Sequence, residues 1–241
     1  MSLPEPVTSD SAWAPPQWGP RWSRWVGFFL CKSLWKMEIH GLENVPATGR
    51  IIVAANHTGF IDGPAMLGFT PRPAHFLVKG AFFKGPLGVL MRLCGQIPVL
   101  PGKGRDSLSA GRQVLLREDA IGIFPEGRRG TGDVSRLHPG VGWLSLHTET
   151  SVVPAAIVGS RSTGASVHSL PKFRSRVIIV FGQAIEPSVR LPESELTREH
   201  VNEMTTRVQA GMQQLLQDTQ KTHNIALPTD EGTKNGRTSK V

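Results

Sequence analysis

Between Met37 and about residue 185 the chain alternates short apolar runs with stretches of helical length, a pattern that admits few folds. The runs at 50–56 (RIIVAAN), 74–79 (AHFLVK), 96–100 (QIPVL), 120–125 (AIGIFP), 151–158 (SVVPAAIV) and 175–182 (SRVIIVFG) predict strands. Several are apolar at every position, which fits strands covered on both faces. The segments GPAMLGF, FKGPLGVLMRLCG, RDSLSAGRQVLLRE and PGVGWLSLHTET have helical spacing or length. Such alternation predicts a single α/β layered domain with a mostly parallel central sheet covered by helices. The 241 residues, 39% of them hydrophobic, suffice for the core this requires.

Either side of this body the pattern changes. Residues 1–20 are rich in Pro and Ser and predict a flexible head without packed structure up to Trp18. A Trp-rich helix is predicted over 21–36, with Pro20 at its start. Helical spacing aligns Trp18, Trp22, Trp25 and Phe29, with Arg21, Arg24, Lys32 and Lys36 on an overlapping flank. Its apolar run, Trp25 to Cys31, is far short of the roughly 20 residues that cross a bilayer. Aromatic and basic side chains side by side are the pattern of an amphipathic helix lying in the membrane interface. The competing reading packs these aromatics on the protein's own core. A long helix follows Thr197, with Val201, Met204, Val208, Met212 and Leu215 on one stripe, and residues 221–241 turn polar and predict a disordered tail.

The sequence carries 27 Lys and Arg against 19 Asp and Glu, a formal charge of +8. That surplus suits polyanions: nucleic acid, anionic lipid or phosphorylated ligands. No zinc-finger spacing, RNP1-like run or basic heptad helix is present, so nucleic acid is not an expected partner. Cys31 and Cys94 do not make a disulfide framework, and His57, His75 and His138 lack ligand spacing, so no metal is expected. The first twenty residues have neither a basic leader nor an apolar core, which predicts a cytoplasmic body.

Three sharp features sit at predicted strand exits, where α/β sheets gather ligands. After RIIVAA comes Asn56-His57-Thr58-Gly59-Phe60-Ile61-Asp62; after QIPVL comes Pro101-Gly102-Lys103-Gly104-Arg105; after AIGIF comes Pro125-Glu126-Gly127-Arg128-Arg129-Gly130. His57 and Asp62 are five apart, a spacing that would turn them away from each other on a helix but suits a loop, with Gly59 supplying backbone freedom. A general base needs one imidazole nitrogen free and the other held by an acceptor, which a carboxylate provides. The plainer possibility is a core or capping histidine with Asp62 as a helix N-cap. In the third loop, Gly127 and the backbone around it could form an anion nest and Arg128 offers a fork for phosphate oxygens. Glu126, an acceptor only, is expected to orient Arg128 or to bind a ligand hydroxyl. Lys103 and Arg105 could add positive charge or could be a solvated turn.

The pair NHTGFID and FPEGRRG, H-x4-D followed by F-P-E-G-x-R, resembles the glycerolipid acyltransferase family typified by PlsC-type 1-acyl-sn-glycerol-3-phosphate acyltransferases, and SVVPAAIVG resembles a later family block. The likeness covers roughly residues 37–185 and places an acyltransferase domain over 37–220. It implies an acyl-CoA or acyl-carrier-protein thioester as co-substrate, no further cofactor, and a lysophospholipid acceptor with a free hydroxyl. It implies catalysis by His57 and Asp62 and substrate binding by Glu126, Gly127 and Arg128, to which the basic loop adds Arg105 and Lys103, while the Trp-rich helix places the site at the cytoplasmic face of an anionic membrane. Two positions depart from the family. GQIPV is followed by Leu100-Pro101-Gly102-Lys103-Gly104-Arg105 where an acidic residue and arginine are common, and RLHPGVG carries His138 where a lysine is common. A sibling acyltransferase using glycerol 3-phosphate, a lyso-aminolipid or another hydroxylated acceptor, and a non-catalytic basic membrane-surface protein, are the alternatives.

Overall fold

The computed structural model describes residues 14–229; the predicted head up to residue 13 and the tail from residue 230 lie outside the described residues. Seven strands form one sheet: β1 (Lys36–His40), β2 (Ile51–Ala55), β3 (Ala74–Lys79), β4 (Ile97–Val99), β5 (Ala120–Ile123), β6 (Val152–Val158) and β7 (Arg176–Phe181), in the order β1-β7-β6-β2-β5-β3-β4. The strands β6, β2, β5, β3 and β4 run parallel, β7 is antiparallel to β6, and β1 is parallel to β7. The layered, mostly parallel sheet expected from the sequence is therefore present.

Helices α1 (Trp18–Leu34) and α2 (Asp62–Phe69) cover one face, while α4 (Gly104–Leu116), α5 (Gly140–His147) and α6 (Arg198–His223) cover the other; α3 (Gly85–Leu93) links β3 to β4. Two apolar cores follow from the strand period of two. In β2, Ile51, Val53 and Ala55 face α1 and α2, whereas Ile52 and Ala54 face the opposite helices. Both sides being dry explains why these strands lack polar alternation.

The strand β1 was not visible in the sequence. KMEIH is polar at alternate positions, and as an edge strand it is only half-buried. The helix before it begins at Trp18, with Gly19 and Pro20 already buried, and ends at Leu34, so the predicted head and helix bounds both shift. The predicted tail also shifts. α6 reaches His223, and Ile225 and Leu227 beyond it pack on the core. Its start is fixed by a capping box in which Thr197 and His200 exchange hydrogen bonds of 3.3 Å.

Glycines let α1 sit close. A Cβ at Gly27 would lie 2.6 Å from the Pro64 carbonyl oxygen, and one at Gly68 would strike the backbone of Gly27 and Phe28. α1 and α2 thus cross with their backbones nearly touching. The buried face of α1 is Gly19, Pro20, Ser23, Gly27 and Cys31, and burial pushes the Cys31 thiol up to about 12. Trp18, Trp22, Trp25 and Phe29 face outward, not the core. Among the described residues no helix is long and apolar enough to cross a membrane.

Candidate active site

The chain leaves β2 into the loop that carries His57, and Asn56 secures that exit. Its side chain bridges to β6, donating to the Ile157 carbonyl at 3.0 Å and accepting the Ile157 N–H at 2.7 Å. The loop then folds back so that Asp62, the first residue of α2, faces His57 at 2.8 Å from Nδ1 to Oδ2. The same oxygen accepts the N–H groups of Thr58 at 2.7 Å and Gly59 at 2.8 Å. Asp62 is therefore not a cap of its own helix. Its carboxylate is wholly buried, and Oδ1 has no partner among the described residues. An acceptor-only carboxylate requires the proton on Nδ1, which leaves Nε2 as a lone-pair base; the tautomer is assigned from this network.

Gly59 serves a different purpose from the one its sequence position suggested. Its φ is not in the left-handed region; a Cβ there would sit 2.7 Å from the Ser160 carbonyl oxygen, so glycine is required by close packing of the loop on the β6 exit. Thr58 and Ser160 share a hydroxyl hydrogen bond of 2.6 Å at the same junction.

The loop after β5 comes alongside because β5 is the neighbour of β2. Glu126 Oε1 accepts the His57 backbone N–H at 2.8 Å. It does not pair with Arg128, contrary to the expectation that it would orient that residue. Burial pushes the Glu126 carboxyl up to about 7, reinforced by the charges of Asp133 and Asp62 and opposed by the N–H bond from His57. The anion nest expected here is also altered. The Gly127 N–H closes a turn onto the Phe124 carbonyl at 2.9 Å, and the Gly130 N–H bonds the His57 carbonyl at 3.0 Å, so neither points outward. Gly127 takes φ +70°, and a Cβ on it would meet the His138 ring at 2.6 Å, so His138 lies directly beside this turn. Arg128 is exposed and makes no hydrogen bond or ion pair among the described residues.

Lys103 and Arg105 enter from a third loop. They open α4 after the edge strand β4, three strand spacings from β2, or about 14 Å along the sheet edge.

Several contributors carried no readable signal. Phe124 stacks on the His57 ring at 4.2 Å between centroids, fixing one face of the imidazole. The buried Arg161 donates to the carbonyls of Gly130 at 2.7 Å and Ala165 at 2.9 Å, tying the β5 and β6 exits together. Arg129 lies over the Phe60 ring at 5.5 Å and donates to Val167 O at 3.1 Å. Apart from the bond of Arg161 to Ala165, each link joins residues distant in sequence, and the sequence offers only the position of Arg161, just past a strand end, as a hint.

Away from this edge, Glu38, His40 and His223 bring ligand-type atoms within 4.8 Å of one another. Glu38 there is already gripped by Arg176 through bonds of 2.6 and 2.7 Å, which opposes a cation.

The acyltransferase family model matches residues 36–158, and the chain belongs to that family. An uncharacterized protein of Mycobacterium leprae (strain TN) is 32% identical over 150 residues, covering 55% of this chain and 39% of its own length. The 1-acyl-sn-glycerol-3-phosphate acyltransferase of Bacillus subtilis (strain 168) is 27% identical over 129 residues, covering 52% and 64%. The chain thus spans less than two thirds of the length of either relative. The crystal structure of the 1-acyl-sn-glycerophosphate (LPA) acyltransferase PlsC from Thermotoga maritima superposes with a TM-score of 0.61 at 18% identity, covering 92% of this chain and 80% of that one, a likeness of fold.

Proposed function

We propose that the protein transfers a fatty acyl group from acyl-CoA or acyl-carrier protein to the free hydroxyl of lysophosphatidic acid, giving phosphatidic acid in phospholipid biosynthesis. The observation that carries this reading is the 2.8 Å contact of His57 Nδ1 with a buried Asp62 carboxylate that also holds two backbone amides of the same loop. The pair leaves Nε2 available as a general base. It takes the proton of the acceptor hydroxyl as the oxygen attacks the thioester carbonyl carbon. As the tetrahedral intermediate collapses the C–S bond breaks, and the imidazolium returns its proton to the leaving sulfur, so the ester and free thiol form without an acyl-enzyme. Neither cysteine is placed to act as a nucleophile, since both are buried.

Arg128 is the residue available to hold the acceptor phosphate, being charged, exposed and two positions beyond Glu126. The outward aromatics of α1, together with its basic residues, support a peripheral position on an anionic membrane at its cytoplasmic face. Release of free thiol from acyl-CoA on addition of lysophosphatidic acid tests the reaction. Equal release with and without any hydroxylated acceptor would overturn it.

A sibling acceptor without a phosphate monoester, such as a lyso-aminolipid, is the second reading, favoured by one observation. Lys103 and Arg105 stand three strands from His57, which reduces the positive charge available to a phosphate at the site. A panel including glycerol 3-phosphate and lyso-aminolipids decides between the two.

A further inference from the structure

The segment 170–174, Leu-Pro-Lys-Phe-Arg, carries two of the most outward apolar side chains of the protein: Leu170 is 61% exposed and Phe173 71%. Its position follows from the sheet. Because β7 is antiparallel to β6, the turn that feeds β7 lies at the carboxyl ends of β6 and β2, the edge that carries His57. Phe173 sits at the tip of a tight turn closed by the Ser175 N–H on the Lys172 carbonyl at 3.0 Å. Arg174 takes φ +62°, a conformation that L-residues rarely adopt.

The turn is held there by the junction of α1 with β1. The Arg174 N–H donates to Leu34 O at 2.8 Å, Lys36 N–H to Ser175 O at 2.9 Å, and the buried Trp35 indole to Pro171 O at 3.2 Å. Those bonds fasten the turn to the end of the helix whose last outward apolar residues, Phe29 and Leu30, are themselves exposed. Lys172 and Arg174 flank Phe173, and both are exposed.

We infer that the turn carrying Leu170 and Phe173 is a second membrane anchor, which inserts into the headgroup layer of an anionic bilayer and tips the His57 edge toward the lipid. A helix alone lying on a surface can roll about its axis; a second contact beyond its end removes that freedom. Apolar tips flanked by Lys and Arg match the lipid interface in both polarity and charge. The inference rests on the proposed membrane position of α1, and the test separates the two.

A polarity-sensitive fluorophore is attached through Phe173→Cys in one sample and Phe29→Cys in another, the native Cys31 and Cys94 being buried. Vesicles of phosphatidylcholine with phosphatidylglycerol are then added. The expected result is a blue-shifted, brighter emission from both labels. Leu170→Ser/Phe173→Ser should weaken vesicle binding about tenfold or more, and Lys172→Gln/Arg174→Gln about fivefold per charge, the latter not on phosphatidylcholine alone. A response at 29 with none at 173 overturns the second anchor and leaves α1 standing. A response at 173 with none at 29 sinks the role of α1 and keeps the turn. Silence from both overturns both. A loss of self-association in Leu170→Ser/Phe173→Ser, with no vesicle response at 173, would assign the patch to a second copy of the chain and overturn the anchor.

Discussion

Glu126 and His57 are joined by one hydrogen bond, the glutamate Oε1 accepting the histidine's backbone N–H at 2.8 Å, so the carboxyl holds the His57 loop by its main chain and leaves the imidazole to Asp62. Raised from an ordinary 4.5 to about 7, chiefly by burial, the native Glu126 keeps a proton that the unfolded chain releases. Between those values the native state binds more protons, so stability falls as pH rises from about 4.5 to about 7 and stays low above. Relative to Glu126→Gln, which keeps an acceptor oxygen, the wild type should lose up to about 3 kcal/mol across that window. Urea unfolding of both proteins on either side of the window measures it, and a constant difference would refute the effect.

His57→Ala should lower acyl transfer by two to four orders of magnitude while leaving the melting transition in place, since the loss is of a general base on a loop. Asp62→Asn should also be damaging for a different reason: the amide oxygen can keep the three donors of His57, Thr58 and Gly59, but the negative charge that stabilises the imidazolium is lost. Asp62→Ala should in addition unfold more easily, by about 1–3 kcal/mol for each stranded amide of Thr58 and Gly59. Thiol release and calorimetry separate the two kinds of loss.

For Arg128→Ala the expected cost falls on phosphorylated acceptors. A charge-assisted bond of about 1.5–3 kcal/mol corresponds to roughly one to two orders of magnitude in kcat/KM. Arg128→Lys should recover part of it, keeping the charge without the fork. Equal losses with a phosphorylated acceptor and an uncharged analogue would remove the arginine from phosphate recognition.

Two glycines of α2 should behave oppositely. Gly68→Ala drives a methyl group into the α1 backbone and should cost about 1–3 kcal/mol, lowering Tm by about 2–4 °C for each. At Gly63 nothing lies within 4 Å, and Gly63→Ala should be neutral or stabilising by up to about 1 kcal/mol. A thermal scan of the pair decides whether the helix crossing is as tight as its geometry.

The strands β2, β5 and β6 were legible because burial on both faces leaves an uninterrupted apolar signature, as in Val152–Val158, while β3, β4 and β7 were legible from shorter apolar runs. The strand β1 escaped because Lys36, Glu38 and His40 lie at an edge that tolerates polar side chains. At the candidate site, the pairing of His57 with Asp62 could be read from their spacing, although Asp62 opens α2 rather than lying on the loop, and Glu126 could be read from its strand exit. Its partner could not. Whether a carboxyl meets Arg128, two positions away, or the His57 amide, 69 positions back, depends on which strands are neighbours. The stacking of Phe124 and the ties made by Arg161 are equally products of strand order. Local sequence specifies which groups stand at the edge, and topology chooses their companions.

The pairing of β1 with β7 has a consequence for synthesis. Glu38 and Arg176, bonded across that pair, lie 138 positions apart. At about 5–20 residues per second the ribosome needs roughly seven to twenty-eight seconds to make the interval. For most of that time α1 can dock on α2, which begins 28 positions after Leu34, while β1 waits as an unpaired edge for a partner not yet made. The outward tryptophans are thus displayed on a half-built protein well before the sheet closes beneath them, and the nascent chain carries its most adhesive surface through the longest stage of its assembly.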